Sequence, residues 1–493
     1  MTRASMTPLY VGSGMGKSAM SNQFTHTIDG KAETSERSFD IVNPATAQPF
    51  AKCPDASREQ LDRAVTAARR AFASWSRTSF AERREAIVAF AHALAKRIDE
   101  IGPVLTHEQG KPLGQAKWEI GGAVHELEAM CELKLESQVI RNDGKHRVEL
   151  IYHPLGVVGA ITPWNFPIIL AAHKIAHGLY AGNTMVLKPS PYTPLATLVM
   201  GEVARDTLPP GVLNVVAGGN DLGAWMTEHP GIDRISFTGS VPTGKRVMAS
   251  AAGTLKRVTL ELGGNDPAIV LDDANISEIV PNLFRGAFLN AGQICMAVKR
   301  IYAPENLYEP LVDGLTKLAL SHRVGDGMDA DVEMGPLQNK MQFDKVMDLI
   351  DDTKRHKSAR ITAGGHTLNR PGYFIAPTVV ADAEDDMRLV REEQFGPVLP
   401  ILRYKDVDDA VRRANDTRFG LCASVWTQDY ERGADVAKRI EAGTVWVNHH
   451  VGSEADMPFG GFKESGIGRE LGSMGLASYM EPQVIKIPLR GAG

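Results

Sequence analysis

Three polar side chains from distant parts of the chain supply a nucleophile, a base and a hydrogen-bond donor. Cys295 carries a thiol, Glu261 carries a carboxylate and precedes two glycines, and Asn165 carries an amide in a segment of aromatic residues and prolines. They are too far apart for one helix face or one hairpin, so only the fold can bring them together. In one site, these groups suit the oxidation of an aldehyde through a covalent thioester.

The thiol of Cys295 needs a suitable environment before it can attack a substrate. A thiol with a pKa of about 8.5 is only slightly ionised at neutral pH, so a base or a positive potential must assist it. Small residues at positions 291 and 292 leave room for a substrate. The alternative for a lone cysteine is a buried structural thiol, because free cysteine is among the most buried residue types.

Glu261 and Asn165 each have a catalytic and a structural interpretation. Glu261 ends an apolar strand pattern, and a carboxylate there points into the crevice where α/β proteins bind ligands. Partial desolvation raises the pKa of such a group and lets it act as a general base on water. The alternative is a surface turn residue. The Asn165 amide can donate to an oxyanion, and the alternative is a turn-forming asparagine.

Two further segments suit the binding of phosphate or ribose. Residues 237–240, followed by Gly244, lie between a strand pattern and a helix pattern, where free backbone amides can meet a pyrophosphate. Lys188 also ends a strand pattern and can reach a ribose or a phosphate, the alternative being an ordinary solvated lysine. Segment 12–18 resembles a phosphate loop but lacks its first glycine and a preceding strand, so we interpret it as part of the terminus.

The chain around these residues alternates between short β-rich runs and helical patterns. The predicted strands are 157–161, 184–187, 212–216, 234–237, 257–260, 397–402, 421–426 and 444–447. The predicted helices are 58–73, 81–101, 168–180, 194–207, 243–251, 407–414 and 430–442, with one more between 216 and 234. This alternation predicts two doubly wound α/β domains with mostly parallel sheets, and a site in the crevice between them.

Composition narrows the class of protein. The 493 residues, 43% of them hydrophobic and 23% charged, are enough for two or three domains. A net charge of −5 gives no electrostatic case for nucleic acid or an anionic membrane, and no apolar stretch of about 18 residues predicts a membrane span. The N-terminus lacks the layout of a secretion signal, and we expect residues 1–20 to be a disordered leader, an upstream start or a cloning remnant.

Cysteine and histidine usage points to a reduced chain without metal. The four cysteines show no CxxC pairing, which predicts a cytoplasmic protein with neither a disulfide framework nor a zinc knuckle. The adjacent pair His449-His450 lacks the usual ligand spacing, so no metal site is predicted.

Taken together, these segments resemble the aldehyde dehydrogenase superfamily over nearly the whole chain after about residue 25. The matching motifs are, in order, Pro163-Trp164-Asn165-Phe166-Pro167, Lys188-Pro189-Ser190, Phe237-Thr238-Gly239-Ser240, Glu261-Leu262-Gly263-Gly264, Gly292-Gln293-Ile294-Cys295, Glu393-Gln394-Phe395-Gly396-Pro397 and Pro458-Phe459-Gly460-Gly461-Phe462-Lys463-Glu464-Ser465-Gly466. Their joint occurrence in this order is specific, and it overrides the alternatives given for single residues.

The resemblance implies a role for each matching position. Cys295 would be the nucleophile and Glu261 the general base, with Asn165 and the Cys295 backbone amide as the oxyanion hole. Lys174 and Glu470 match positions associated with proton relay to the base. The residues implied to bind NAD or NADP are Ile161, Thr162, Pro163, Trp164, Lys188, Ser190, Pro191, Gly239, Ser240, Gly244, Leu262, Glu393 and Phe395.

Within this set, the resemblance assigns the adenosine ribose to Lys188, the pyrophosphate to Gly239 and Ser240, and the nicotinamide ribose to Glu393. Trp164 would lie in the cofactor cleft and Phe395 beside the nicotinamide. Relatives that pass the acyl group to coenzyme A lack the glutamate that matches Glu261, so this residue favours hydrolysis.

Departures from the family pattern shape the cofactor and substrate predictions. Pro191 stands where many NAD-preferring relatives carry a glutamate, so we predict NAD with NADP also accepted. His173 and Leu289 stand where relatives that oxidise succinate semialdehyde commonly carry arginines, which a substrate carboxylate would need. We therefore predict an uncharged aliphatic or aromatic aldehyde, in a tunnel lined by Leu170, Leu289 and Ile294. A succinate-semialdehyde-type enzyme is the alternative.

The resemblance also implies domains and assembly. We expect residues 21–135 and 155–264 to form a Rossmann-like cofactor domain and residues 265–465 a catalytic domain. Residues 136–154 and 480–493 would form a small β oligomerisation element in a homodimer or homotetramer. The alternatives from other classes are a cofactor-independent thiol esterase and a silent binding protein with the same fold.

Overall fold

The structure, a computed structural model, describes residues 23–489. The predicted leader, 1–20, and the loop-like segment 12–18 lie outside the described residues.

The elements of the first half are β1 (His26–Ile28), β2 (Lys31–Glu33), β3 (Arg37–Asn43), β4 (Gln48–Asp55), α1 (Arg58–Trp75), α2 (Phe80–Ala95), α3 (Ile98–Gln109), α4 (Leu113–Met130), β5 (Gln138–Asn142), β6 (His146–Pro154), β7 (Val157–Ile161), α5 (Pro167–Tyr180), β8 (Thr184–Lys188), α6 (Leu195–Thr207), β9 (Leu213–Val215), α7 (Asn220–Glu228), β10 (Arg234–Thr238), α8 (Val241–Ala252) and β11 (Arg257–Glu261). Those of the second half are β12 (Asp266–Val270), α9 (Ile276–Phe288), β13 (Val298–Pro304), α10 (Glu305–Ser321), α11 (Lys340–Thr353), β14 (Arg360–Ala363), β15 (Thr378–Ala381), α12 (Arg388–Arg391), β16 (Val398–Tyr404), α13 (Val407–Asn415), β17 (Cys422–Trp426), α14 (Tyr430–Ala437), β18 (Thr444–Val447), β19 (Gly466–Ile467), α15 (Gly472–Ser478) and β20 (Met480–Pro488). Short 3-10 turns cover Leu289–Gly292 and Lys463–Ser465.

Two large sheets and two small ones organise the described residues. One large sheet has the strand order β19-β11-β10-β7-β8-β9-β1-β2, and the other has the order β14-β15-β16-β13-β12-β17-β18. Strands β7 to β11 pair in parallel, as do β12, β13, β15, β16, β17 and β18, while β20-β6-β5 and β3-β4 are antiparallel. This α/β architecture with parallel sheets confirms the predicted fold class.

The strand register of the first sheet gathers its polar strand ends. Ile161 pairs with Lys188 on one side and with Phe237 on the other, and Thr238 pairs with Glu261. Because these strands run parallel, their carboxyl ends lie along one edge, where open α/β sheets bind ligands.

The second sheet presents its amino ends to the site. Cys295 precedes β13, and Glu393 precedes β16, which is the parallel neighbour of β13. A left-handed turn at Asn290 and Ala291 (φ 52° and 54°) leads to the thiol. Gly292 follows with φ +72°, and a Cβ there would lie 2.3 Å from the Gly396 carbonyl oxygen, so this position needs glycine.

Two helix predictions were wrong in extent, and the helices α4, α9, α10, α11, α12 and α15 were not predicted. The predicted helix 81–101 is two helices, because the backbone leaves the helical region at Arg97 (φ −107°, ψ 11°), whose guanidinium pairs with Glu100 and Glu202. The predicted helix 430–442 ends at Ala437, where tighter i to i−3 hydrogen bonds form the next turn. Helix α4 was not predicted, and its paired glycines, 121 and 122, weaken a helical pattern. No helix within 23–489 has the length and apolar character needed to cross a bilayer.

Candidate active site

The loop before β13 brings the thiol and the amide donor together. Cys295 is half-buried, whereas Cys53, Cys131 and Cys422 are buried, so it is the more accessible thiol. The Asn165 Nδ2 donates to the Gln293 carbonyl at 3.0 Å, two residues before the thiol. One N–H of this amide is thereby fixed, which leaves the other to donate to an oxyanion beside Cys295.

A buried ion pair holds Asn165 in place. Its carbonyl accepts from Lys111 Nζ at 2.9 Å, and Lys111 pairs with Glu119 at 2.5 Å with both side chains fully buried. Glu119 also accepts from the amides of Ile168 and Ile169 at 2.9 and 3.3 Å, at the start of α5. Lys111 and Glu119 were not predicted from the sequence, because lysine and glutamate are almost never fully buried unless they are paired.

Glu261 is a buried carboxylate without hydrogen-bond partners. It is the last residue of β11 and only 4% exposed, which excludes the surface-turn alternative. Neither of its carboxylate oxygens has a partner among the described residues. Burial raises the pKa of Glu261 well above its ordinary value, and Glu470 adds to this, while Lys174 and Arg469 oppose it. A carboxylate in such surroundings binds a proton strongly, as a general base on water must.

The two predicted relay residues form an ion pair behind Glu261. Lys174 donates to Glu470, and it also donates to Ser236 Oγ at 3.0 Å. Ser236 donates to the same Glu470 oxygen at 2.9 Å, so the three side chains form a closed buried network. Burial acts to raise the pKa of Glu470, but Lys174, with smaller contributions from His173 and Ser236, outweighs it and the pKa is lowered.

The glycine pair after Glu261 joins β11 to a loop of the second sheet. The Gly264 amide donates to Glu393 Oε1 at 3.0 Å, and a Cβ on Gly263 would lie 2.3 Å from Glu393 Oε2. A Cβ on Gly264 would lie 2.7 Å from the Cys295 carbonyl oxygen. These close approaches require residues without side chains.

The candidate cofactor residues line the edge of the first sheet. Lys188 is buried, so the solvated alternative is wrong, and burial lowers its pKa to about 8. Its Nζ donates to the Pro189 carbonyl at 3.2 Å, which leaves donor capacity for a ribose hydroxyl. The rings of Trp164 and Phe395 meet edge to face, with centroids 5.3 Å apart, between the two sheets.

The pyrophosphate prediction needs one correction. The Gly239 amide donates to the Glu261 carbonyl at 3.0 Å, because the pairing of β10 and β11 continues past Thr238, so this amide is not a free donor. Ser240 is the N-cap of the twelve-residue helix α8 and accepts from the Thr243 amide at 3.4 Å. The start of α8 therefore supplies the remaining backbone donors. Gly244 lies under Leu262, since a Cβ on it would be 2.5 Å from that side chain.

The candidate substrate residues differ in exposure. Leu170 and Leu289 are half-buried, whereas Ile294 and His173 are buried. Burial lowers the pKa of His173 to about 4 and raises that of Glu126 to about 7. His173 Nε2 and Glu126 Oε2 lie 4.0 Å apart, and neither atom has a hydrogen-bond partner among residues 23–489.

The histidine pair has a structural task. His450 bonds through its two ring nitrogens to Ser424 Oγ at 2.8 Å and to the Met296 carbonyl at 3.0 Å, so neither nitrogen is available to a metal. Met296 follows the thiol, and His450 thereby holds the far end of the Cys295 loop, residues 290–296. No cluster of three or more potential metal ligands was found in the described part of the chain.

Comparisons with known proteins point to one family. A sequence model of the aldehyde dehydrogenase family matches residues 31–485. Retinal dehydrogenase 2 of Gallus gallus is 40% identical over 478 residues, which cover 94% of this chain and 92% of that protein. The NAD+ complex of aldehyde dehydrogenase from Bacillus cereus superposes with a TM-score of 0.93 at 37% identity, covering 96% of this chain and 98% of that one. Betaine aldehyde dehydrogenase of Staphylococcus aureus with NAD+ gives a TM-score of 0.91 at 32% identity, covering 95% and 96%.

Proposed function

The chain belongs to the aldehyde dehydrogenase family, and from that premise we propose that it oxidises an uncharged aldehyde to a carboxylic acid through a thioester on Cys295. As an aldehyde dehydrogenase it is an oxidoreductase that uses NAD(P). The observation that carries the proposal is the meeting of the Cys295 loop with the Asn165 amide and with the glycine pair after Glu261.

In the first half of the reaction, the Cys295 sulfur bonds to the aldehyde carbon and the thiol proton leaves to water. The carbonyl oxygen becomes an oxyanion, which accepts from the free N–H of Asn165. One such donor typically lowers the barrier by about 2.7–4 kcal/mol. A bound NAD(P) would supply the acceptor for the hydride that leaves this carbon, and a thioester on Cys295 would remain.

In the second half, Glu261 takes a proton from a water molecule. The resulting hydroxide attacks the thioester, and the carbon–sulfur bond breaks to release the acid and the thiolate. A carboxylate that has no protein hydrogen bonds is free to orient that water. We propose that the Lys174–Glu470 pair then relays the proton away from Glu261, since Glu470 contributes to the raised pKa of that base.

Different residues are proposed to hold each part of the cofactor. We propose that Lys188 donates to the adenosine ribose, that the start of α8 at Ser240 meets the pyrophosphate, and that Glu393 accepts from the nicotinamide ribose. Trp164 and Phe395 would form the aromatic wall. The remaining members of the proposed contact set are Ile161, Thr162, Pro163, Ser190, Pro191, Gly244 and Leu262.

We propose that the protein prefers NAD and also accepts NADP, and a substitution at Pro191 tests this. Pro191 brings no negative charge against a 2′-phosphate, so NADP should also be accepted. Replacing it by glutamate is expected to reduce kcat/KM with NADP and to leave that with NAD within a few fold, because only the phosphate is repelled. Equal losses with both cofactors would contradict this placement.

The neutral substrate is supported by the charges near His173. With its pKa lowered to about 4, His173 is neutral at pH 7 and cannot pair with a substrate carboxylate. Glu126 lies beside it, and Leu289 is apolar. Leaving a carboxylate unpaired costs at least about 1–3 kcal/mol, so neutral aldehydes should be preferred roughly tenfold to a hundredfold.

The test is kcat/KM for hexanal, benzaldehyde and succinate semialdehyde with NAD and with NADP. Preference for the first two is expected. A higher value for succinate semialdehyde would keep the reaction class and refute the substrate proposal. Ester cleavage without oxidation of any aldehyde would favour the thiol esterase, and activity in neither assay would favour a silent binding protein.

We propose the domains and assembly from the same arrangement. The two large sheets support a cofactor domain of 21–135 and 155–264 and a catalytic domain of 265–465. The small sheet β20-β6-β5 leaves Val139, Ile140 and Val484 at least 58% exposed, which favours a homodimer or homotetramer. Sedimentation velocity tests this, and a monomer at micromolar concentration would contradict it. The four free cysteines support a reducing, cytoplasmic location.

A further inference from the structure

Lys299 is a buried cation directly beside the nucleophile. It is the second residue of β13, and its side chain is 3% exposed. Its ammonium donates to the Ile294 carbonyl at 3.0 Å and to the Cys295 carbonyl at 2.5 Å. The same ammonium lies 3.8 Å from Glu393 Oε1. One charged group therefore contacts the Cys295 loop and lies next to Glu393, the carboxylate proposed to hold the nicotinamide ribose.

The contacts of Lys299 complete a set of caps on successive carbonyls. Asn165 caps the carbonyl of Gln293, Lys299 caps those of Ile294 and Cys295, and His450 caps that of Met296. Every carbonyl from 293 to 296 thus accepts from a side chain, which fixes the loop on both sides of the thiol. Of these caps, Lys299 alone brings a positive charge, since burial lowers the pKa of His450 to about 3.

We propose that Lys299 is a positioning residue for catalysis: it fixes the Cys295 loop relative to Glu393 and supplies the positive charge that stabilises the thiolate. The proposal rests on the proposed role of Cys295 as the nucleophile.

The charges around the thiol support this role. Burial raises the pKa of Cys295 to about 12, Lys299 acts to lower it, and Asp266, Glu393 and Glu261 act to raise it further. Removing the ammonium would take away the positive charge that opposes these three carboxyl groups.

The experiment measures the rate at which iodoacetamide alkylates Cys295 as a function of pH, in the full-length protein without cofactor. The other three cysteines are buried, so the accessible thiol dominates the signal. Lys299→Gln keeps hydrogen-bond donors for the two carbonyls but removes the charge. Lys299→Arg keeps the charge. Lys345→Met is the matched control, because Lys345 donates to the Glu393 carbonyl at 2.7 Å and, within residues 23–489, has no hydrogen bond to the Cys295 loop.

At a fixed pH below the midpoint, Lys299→Gln is expected to slow alkylation by about tenfold, which corresponds to one pKa unit. Lys299→Arg should restore most of the rate, and Lys345→Met should match the unchanged protein. A Lys299→Gln profile that overlays that of the unchanged protein would overturn the proposal. If Lys299→Gln does not fold, an alkylation profile of Lys299→Arg equal to that of the folded parent supports the charge role, and a tenfold slower one refutes it.

Cys295→Ser separates this inference from the proposed function. Loss of oxidation in that variant, together with an unshifted Lys299→Gln profile, refutes only the role of Lys299. Full oxidation by Cys295→Ser refutes the nucleophile assignment and, with it, the inference.

Discussion

Replacing Glu261 by glutamine should separate the two halves of the reaction. The change is nearly isosteric, and neither carboxylate oxygen has a hydrogen bond to lose within the described residues. The variant also removes a buried acid whose pKa is raised by burial, so the fold has little reason to weaken. Thioester formation should continue, because the thiol and the Asn165 amide are untouched, whereas hydrolysis loses its base.

The expected loss of steady-state turnover in Glu261→Gln equals the contribution of general-base catalysis. General-base catalysis typically contributes about 10²- to 10⁴-fold, which corresponds to about 2.7–5.4 kcal/mol. Steady-state turnover of Glu261→Gln should fall by that factor. A pre-steady-state burst should remain, with an amplitude near one reduced cofactor per subunit, because each thiol turns over once and then waits as thioester.

Stopped-flow absorbance of the reduced nicotinamide gives both quantities in one trace. Glu108→Gln is the matched control, since Glu108 is also a buried glutamate whose pKa burial raises, but its carboxylate accepts from the amides of Leu195 and Ala196. It should keep the ratio of steady-state rate to burst rate of the unchanged protein. If Glu261→Gln shows no burst while Cys295 is still alkylated normally, Glu261 acts before the thioester forms and the assignment is wrong.

Three further outcomes are expected. Asn165→Ala should lower kcat by about 10²- to 10³-fold with cofactor affinity unchanged, measured by steady-state kinetics and fluorescence titration, and a loss below tenfold would remove Asn165 from the oxyanion hole. Burial raises the pKa of Glu261 and brings that of Cys295 to about 12, so the reactive, deprotonated forms of both groups increase with pH. The value of kcat/KM should therefore rise from about pH 6 to about pH 9, and a flat profile would contradict this. Lys111→Met should cost about 3–5 kcal/mol in urea unfolding, because Glu119 is left as a lone buried charge, and Lys111→Met with Glu119→Leu should recover most of it; equal losses would show that the pair is not coupled.

The sequence predicted the elements that carry strong local patterns. The strands 157–161 and 444–447 agree with β7 and β18 in both bounds, because β-rich runs between turn residues favour a strand. The helix 81–101 failed because its apolar spacing continues across the break at Arg97, which long-range ion pairs with side chains such as Glu202 stabilise. No local pattern reports such a partner.

The residues of the site also divide into those that a local pattern reveals and those that depend on long-range contacts. Cys295, Glu261 and Asn165 were found from residue type and motif, and their roles remain proposals. Lys111, Lys299 and His450 were missed because their importance lies in which carbonyls they contact after folding. The Gly239 amide was misjudged because it depends on whether strand pairing ends at Thr238 or one residue later. The residue at which strand pairing ends is set by the register of the whole sheet.

Strand β19 has a consequence for how the protein is made. The strand that ends in Glu261 obtains its outer neighbour from Gly466 and Ile467, and Lys174 obtains its counter-ion from Glu470. Ribosomes release the chain from its N-terminus, so Glu261 emerges about two hundred residues before Gly466, and Lys174 emerges about three hundred residues before Glu470. Until then, one sheet edge is open to other nascent chains and a future core position holds an uncompensated charge. The first sheet and its buried ion pair can therefore be completed only when the last tenth of the chain has been translated.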